Sequence, residues 1–124
     1  MALLAWYNMM CEGGKIALCR LQDLPDPGSR GITLDTRYGS LEIFLVRKCN
    51  EIYGYINHCP HTGVNLDWVQ DQFLDPSGGF IQCATHGALF RIEDGVCLRG
   101  PCVGARLRPI ELQLEQGKVI LISR

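Results

Sequence analysis

The chain has 124 residues, of which 47% are hydrophobic, enough for one compact core and too few residues for two ordinary domains. Twelve basic and 13 acidic residues leave a formal charge of −1, and no basic run of the kind a nucleic-acid or anionic-membrane surface needs is present. Seven cysteines, an odd number, argue against a fully paired secreted disulfide framework and for a reducing cytoplasm in which thiols bind metal, do redox chemistry or pack.

The first segment, Met1 to Met10, is apolar but lacks a basic leader and falls far short of the roughly 20 apolar residues that span a bilayer. Residues 1–13 read as an N-terminal extension that is poorly ordered or packs at an edge; a docking segment is the alternative. Beyond it, turn signals recur at short intervals: Gly13-Gly14, Pro25 to Gly28, Gly39-Ser40, Asp75 to Gly79, Asp94-Gly95, Gly100-Pro101 and Gln116-Gly117. Between them, stretches rich in β-branched and aromatic residues predict strands over 15–19, 41–48, 52–57, 80–83, 88–92, 110–114 and 118–122. Lys48 to Glu51 and Glu115 to Lys118 predict hairpin turns. Helical candidates are confined to 21–24 and 66–70.

In the stretch 42–47, Glu42, Phe44 and Val46 alternate with Ile43, Leu45 and Arg47, and both sets are largely apolar. That pattern predicts a strand covered on both faces. The expected class is all-β: an antiparallel sandwich or small barrel, forming a single domain over 1–124.

Residues 58–104 differ in character, holding all three histidines and four of the seven cysteines among many Gly and Pro. Two clusters stand out, Cys59-Pro-His61 and Cys83-Ala-Thr-His86, each just past a predicted strand. Side by side, the two loops offer two thiolates and two imidazoles. A Cys₂His₂ zinc site is one use of that set, and a two-iron cluster with both cysteines on one iron and both histidines on the other is the second. Zinc sites of this composition usually pair cysteines first and histidines after; here each loop mixes the two.

The arrangement Cys59-Pro-His-Thr-Gly63 with Cys83-Ala-Thr-His-Gly87 resembles the Rieske family, and Gly100-Pro101 resembles the proline loop that covers its cluster. The resemblance implies a [2Fe–2S] cluster, one per chain, ligated by Cys59, His61, Cys83 and His86. It also implies a cluster-binding subdomain over 57–104 within a β base. Residues 62–82, between the two ligand loops, form a longer stretch than simple ferredoxins of the family carry. Trp68, Phe73 and Asp75 to Gly79 are expected to loop out there, with Trp68 as an apolar lid. His58 reads as a surface or supporting residue beside a ligand. Cys97 and Cys102 flank the covering loop and are expected as free, packed thiols, with a bond between them as the alternative; Cys19 and Cys49 are expected in the core.

Within the family, respiratory-type members carry a bracing disulfide, whose positions here are Val64 and Thr85. Oxygenase members also need a mononuclear iron held by two histidines and a carboxylate, and the cluster already consumes two of three histidines. No nucleophile–base pair, phosphate loop or nicotinamide fingerprint suggests a catalytic site. The resemblance therefore implies a one-electron carrier, a ferredoxin between a flavin reductase and an oxygenase or reductase, with no nucleic-acid or membrane partner. A small subunit of a larger redox enzyme of the nitrite reductase kind is the alternative, and a zinc module a third. Ala88 and Phe90 stand where high-potential members have a serine and a tyrosine, so a low potential is expected. Val64, Leu66, Ala88 and Pro101 are expected around the docking edge.

Overall fold

The structure, a computed structural model, describes residues 15–36, 39–58, 60, 66, 71–84, 87–101 and 103–122. Among them the chain runs through β1 (Lys15–Arg20), a 3-10 turn (Leu21–Asp23), β2 (Gly28–Thr36), β3 (Gly39–Lys48), β4 (Glu51–Ile56), β5 (Phe80–Gln82), β6 (Leu89–Arg91), β7 (Cys97–Arg99), β8 (Leu112–Glu115) and β9 (Lys118–Ile122). These strands form three antiparallel sheets, ordered β1-β9-β8, β2-β3-β4 and β5-β6-β7. The all-β expectation holds. The short helical turn appears at the first predicted place, and the second, 66–70, falls mostly outside the described residues.

The central strand β3 is buried on both sides, as its double apolar alternation requires. Leu41, Ile43 and Leu45 enter an aliphatic core with Ile56, Ile110, Val119 and Leu121. Phe44 and Val46 enter a second core with Tyr55, Phe73, Phe90 and Leu107. Successive side chains of a strand point to opposite faces, so one strand can serve both cores. The middle sheet thus has β1-β9-β8 on one face and β5-β6-β7 with its loops on the other.

Both predicted hairpins form. At Cys49-Asn50 the backbone takes φ of 53° and 63°, and at Gln116-Gly117 53° and 76°, the left-handed pair that matches strand twist. Cysteine is a poor residue for that conformation, and its place is secured from outside: Asp26 Oδ1 accepts the Cys49 N–H and Oδ2 the Asn50 N–H, each at 2.9 Å. Arg47 binds the same corner, donating to the carbonyls of Leu21 (3.2 Å) and Leu24 (2.8 Å). Cys49 is therefore exposed at a turn and not in the core as expected. Cys19 is half-buried, and burial pushes its thiol up from the ordinary value.

Two strands were not expected. β2 begins in a Pro/Gly cluster and has Gly31 at its middle, yet it pairs with β3 over its whole length, from Gly28↔Arg47 to Thr36↔Gly39. Tertiary pairing overrides weak local propensity there. Gly31 leaves room for a neighbour, since a Cβ would lie 3.3 Å from the Phe73 ring. β7, Cys-Leu-Arg, contains no β-branched or aromatic residue to signal a strand.

Candidate metal centre

Three loops converge beside the aromatic core. The first leaves β4: Asn57 N–H donates to the Glu42 carbonyl on β3 (2.9 Å), and His58 N–H turns back to the Ile56 carbonyl (2.9 Å). The chain thus exits the strand directly before Cys59. His58 is exposed, in keeping with a surface role.

The second loop follows β5. Cys83 is 1% exposed, its side chain set in the aromatic core. Cys83 N–H donates to the Ala88 carbonyl and Gly87 N–H to the Cys83 carbonyl, both at 2.9 Å, which closes the segment that carries position 86. Gly87 has φ of 65°, a left-handed conformation that glycine adopts without steric cost.

The third loop leaves β7. Gly100, with φ of 110°, lies so close to the second loop that a Cβ there would sit 2.9 Å from Ala88 Cβ and 3.0 Å from its Cα. Pro101 and Val103 are exposed on this loop. Just before it, Cys97 is buried, and its thiol meets the Arg99 carbonyl at 3.4 Å.

The first two loops are joined internally. The side-chain oxygen of Asn57 accepts the Leu66 N–H at 2.8 Å, and the Leu66 carbonyl accepts the Ala84 N–H at 2.9 Å. Asn57 belongs to none of the sequence motifs above. A signal was available: with period two along β4, Asn57 shares the inward side with Tyr55, and a polar residue there has to be hydrogen-bonded.

Of the four expected ligands, Cys83 lies within the described residues; Cys59, His61 and His86 lie outside them, as do Val64, Trp68, Thr85 and Cys102. Two residues expected at the docking edge are buried instead. Leu66 is 0% exposed because its side chain enters the aromatic core, and Ala88 is 2% exposed beneath Gly100. Among the described residues Pro60, Leu98, Pro101 and Val103 are exposed apolar groups on or beside these loops.

The long 62–82 stretch does not wholly loop out. Phe73 is fully buried and stacks on Phe44, with ring centroids 4.4 Å apart and planes 3° from parallel. Ser29 and Gly31 on β2 hold the returning chain: Ser29 O–H donates to the Asp71 carbonyl (2.6 Å), Phe73 N–H to Ser29 Oγ (3.1 Å) and Gly31 N–H to Asp71 Oδ1 (2.8 Å). Beyond it, burial raises the Asp75 carboxyl, but hydrogen bonds from Ser77 and from backbone N–H groups outweigh that and leave it below its ordinary value. Tyr55 ties β4 to the β6–β7 turn through its O–H to the Ile92 carbonyl (2.6 Å), and burial pushes its phenol well up.

The model of the Rieske [2Fe–2S] domain matches residues 14–116, a span that contains both cysteine–histidine motifs and Gly100-Pro101. The chain belongs to the Rieske [2Fe–2S] family. Its cofactor is accordingly the [2Fe–2S] cluster and not zinc. The described residues fit that group: the Cys83 thiol is buried in a turn whose backbone bonds at Gly87 and Ala88 close it, and that turn is braced through Leu66 against Asn57 at the end of β4.

No curated protein matches by sequence. Among solved structures, the fold is similar to a chain of the complex of reduced oxygenase and oxidised ferredoxin in carbazole 1,9a-dioxygenase, at a TM-score of 0.70 and 20% identity over 91% of this chain and 96% of that one. It is similar to the ferredoxin of carbazole 1,9a-dioxygenase from Nocardioides aromaticivorans IC177 (TM-score 0.68, 19% identity, 89% and 98% covered). It is also similar to a Sphingomonas yanoikuyae B1 ferredoxin (TM-score 0.67, 21% identity, 90% and 100% covered). Among the described residues no helix is long and apolar enough to cross a membrane.

Proposed function

We propose that this Rieske protein is a ferredoxin, a one-electron carrier working between a flavin reductase and an oxygenase or reductase in the cytoplasm, with no catalytic site of its own. The observation that carries the reading is the family match across both cysteine–histidine loops. Likeness to whole ferredoxin chains, one of them from a complex with its oxygenase, supports it.

Cys59 and Cys83 would hold one iron, and His61 and His86 the other. When bound, the cluster takes up and releases one electron. Residues 57–104 would form the cluster-binding subdomain of a single domain, with 1–13 as an extension. The protein's part is to fix the ligands and to set the polarity around them. Ala88 and Phe90 are both buried and carry no hydroxyl to donate to a cluster sulfur, which favours a low potential. Leu98, Pro101 and Val103 give partners an apolar approach beside the covering loop.

Metal and labile-sulfide analysis, followed by voltammetry, tests the reading. The expected result is two irons and two sulfides per chain, lost on Cys83→Ala, and a potential in the lower half of the family range of about −150 to +300 mV. One zinc without iron would refute the assignment, and a potential in the upper half would refute the low-potential carrier.

A further inference from the structure

Among the described residues Asn57 is the only polar residue in the buried class, at 6% exposure. Burying an amide is unfavourable unless it is hydrogen-bonded, so its bonds explain its presence. Those bonds form a path. Asn57 N–H reaches the Glu42 carbonyl on the central strand, its side-chain oxygen takes the Leu66 N–H, and the Leu66 carbonyl takes the N–H of Ala84, the residue after Cys83. Leu66 itself is locked by full burial in the aromatic core.

The two ligand loops spring from different sheets, the first from β4 in the β2-β3-β4 sheet and the second from β5 in the β5-β6-β7 sheet. No strand ladder runs between those sheets among the described residues, so sheet register alone does not set the distance between Cys59 and Cys83. We propose that Asn57 is a positioning residue that sets this distance by coupling both ligand loops to β3 through Leu66. The proposal rests on the ligand assignment above. A side-chain oxygen suits the task because a backbone carbonyl at this depth is already committed to strand or turn bonds. An apolar side chain of similar size would fill the space and leave the Leu66 N–H without its acceptor.

The test uses the full cluster-loaded chain with Asn57→Leu, which removes the acceptor, and Asn57→Asp, which keeps an oxygen in its place. Bleaching by an iron chelator should be about tenfold faster or more in Asn57→Leu, the usual scale for losing a residue that orients a ligand, and return to within about threefold of wild type in Asn57→Asp. The paramagnetic resonance anisotropy of the reduced cluster should change in Asn57→Leu and recover in Asn57→Asp. Amide exchange at Leu66 and Ala84 should accelerate about tenfold in Asn57→Leu while that at Ile43 and Leu45 stays unchanged, because only a local opening is involved.

Unchanged bleaching and resonance in Asn57→Leu overturn the proposal, even if the Leu66 amide loses protection. Equal loss of protection along β3 also overturns it, since Asn57 would then support the fold at large. If Asn57→Leu yields no folded chain, Asn57→Ser decides: its shorter hydroxyl should leave bleaching about threefold faster, and a wild-type rate overturns the proposal. A wild-type chain that binds no iron refutes the metal assignment, and this proposal with it; that case is recognised by iron analysis before any variant is compared.

Discussion

The two faces of β3 hold two different kinds of core. On one side Leu41, Ile43 and Leu45 meet the β1-β9-β8 sheet in a packing made of aliphatic side chains. On the other, Phe44 and Val46 meet aromatic rings, Cys83, Cys97 and the buried end of the ligand loops. The first is built mostly from paired strands. The second combines the short β5-β6-β7 sheet with loops that a few hydrogen bonds and the Phe44–Phe73 stack hold in place. The contrast teaches that both faces hold the fold together, while only the aromatic face adjoins the loops expected to bind the cofactor.

The sharpest way to break that contrast is to cut one residue on each face. Phe44→Ala removes the partner of Phe73 and should cost about 3–5 kcal/mol. It should also release the cluster, because the Phe73 segment leads directly into β5 and Cys83; the Gln82 N–H bonds the Phe73 carbonyl at 2.8 Å. Leu45→Ala should cost about 2–5 kcal/mol and leave the visible spectrum of the folded protein unchanged. Denaturant titration followed separately by circular dichroism and by cluster absorbance measures both. Equal cluster release in the two variants would make the faces one cooperative unit.

A smaller effect sharpens the same comparison at two glycines with left-handed backbone. Gly117, in the β8–β9 turn, has open space where a Cβ would go, so Gly117→Ala should cost only the backbone strain, about 1 kcal/mol. Gly100 combines that strain with a 2.9 Å collision against Ala88, so Gly100→Ala should cost about 2–4 kcal/mol and loosen the cluster as well. Thermal unfolding with absorbance at the cluster bands distinguishes them. Equal costs would mean that the covering loop is free to move off Ala88.

The smallest effect is electrostatic. Asp94, in the β6–β7 turn, is held at about 2 by its hydrogen bonds with the Arg91 guanidinium and the Val96 N–H. The folded state therefore favours the ionised carboxylate, a contribution complete above about pH 4 and lost as pH falls toward 2. Asp94→Asn should make stability less dependent on pH in that window alone, as read from denaturant midpoints of the metal-free chain. An unaltered pH profile would show that the Arg91 pairing has no energetic weight at this exposed turn.

Much of this protein was determined by its sequence alone. The Rieske family, read from the C-x-H and C-x-x-H motifs, the two hairpin turns and the two-sided burial of β3 all rest on patterns within a few residues. Such patterns report directly on ligand chemistry, turn geometry and strand period. Only the tertiary structure decided the rest. It made a strand of the glycine-interrupted β2 by pairing it with β3, and drew Phe73 out of an expected surface loop onto Phe44. It placed Leu66 and Ala88 beneath the site surface and set Cys49 outside the core on the acceptors of Asp26. Each of these depends on partners far along the chain, as Ser29 and Asp71 are, 42 residues apart. Local periodicity carries no information about which distant backbone group will satisfy a donor, and that choice is what joined Asn57 to both ligand loops.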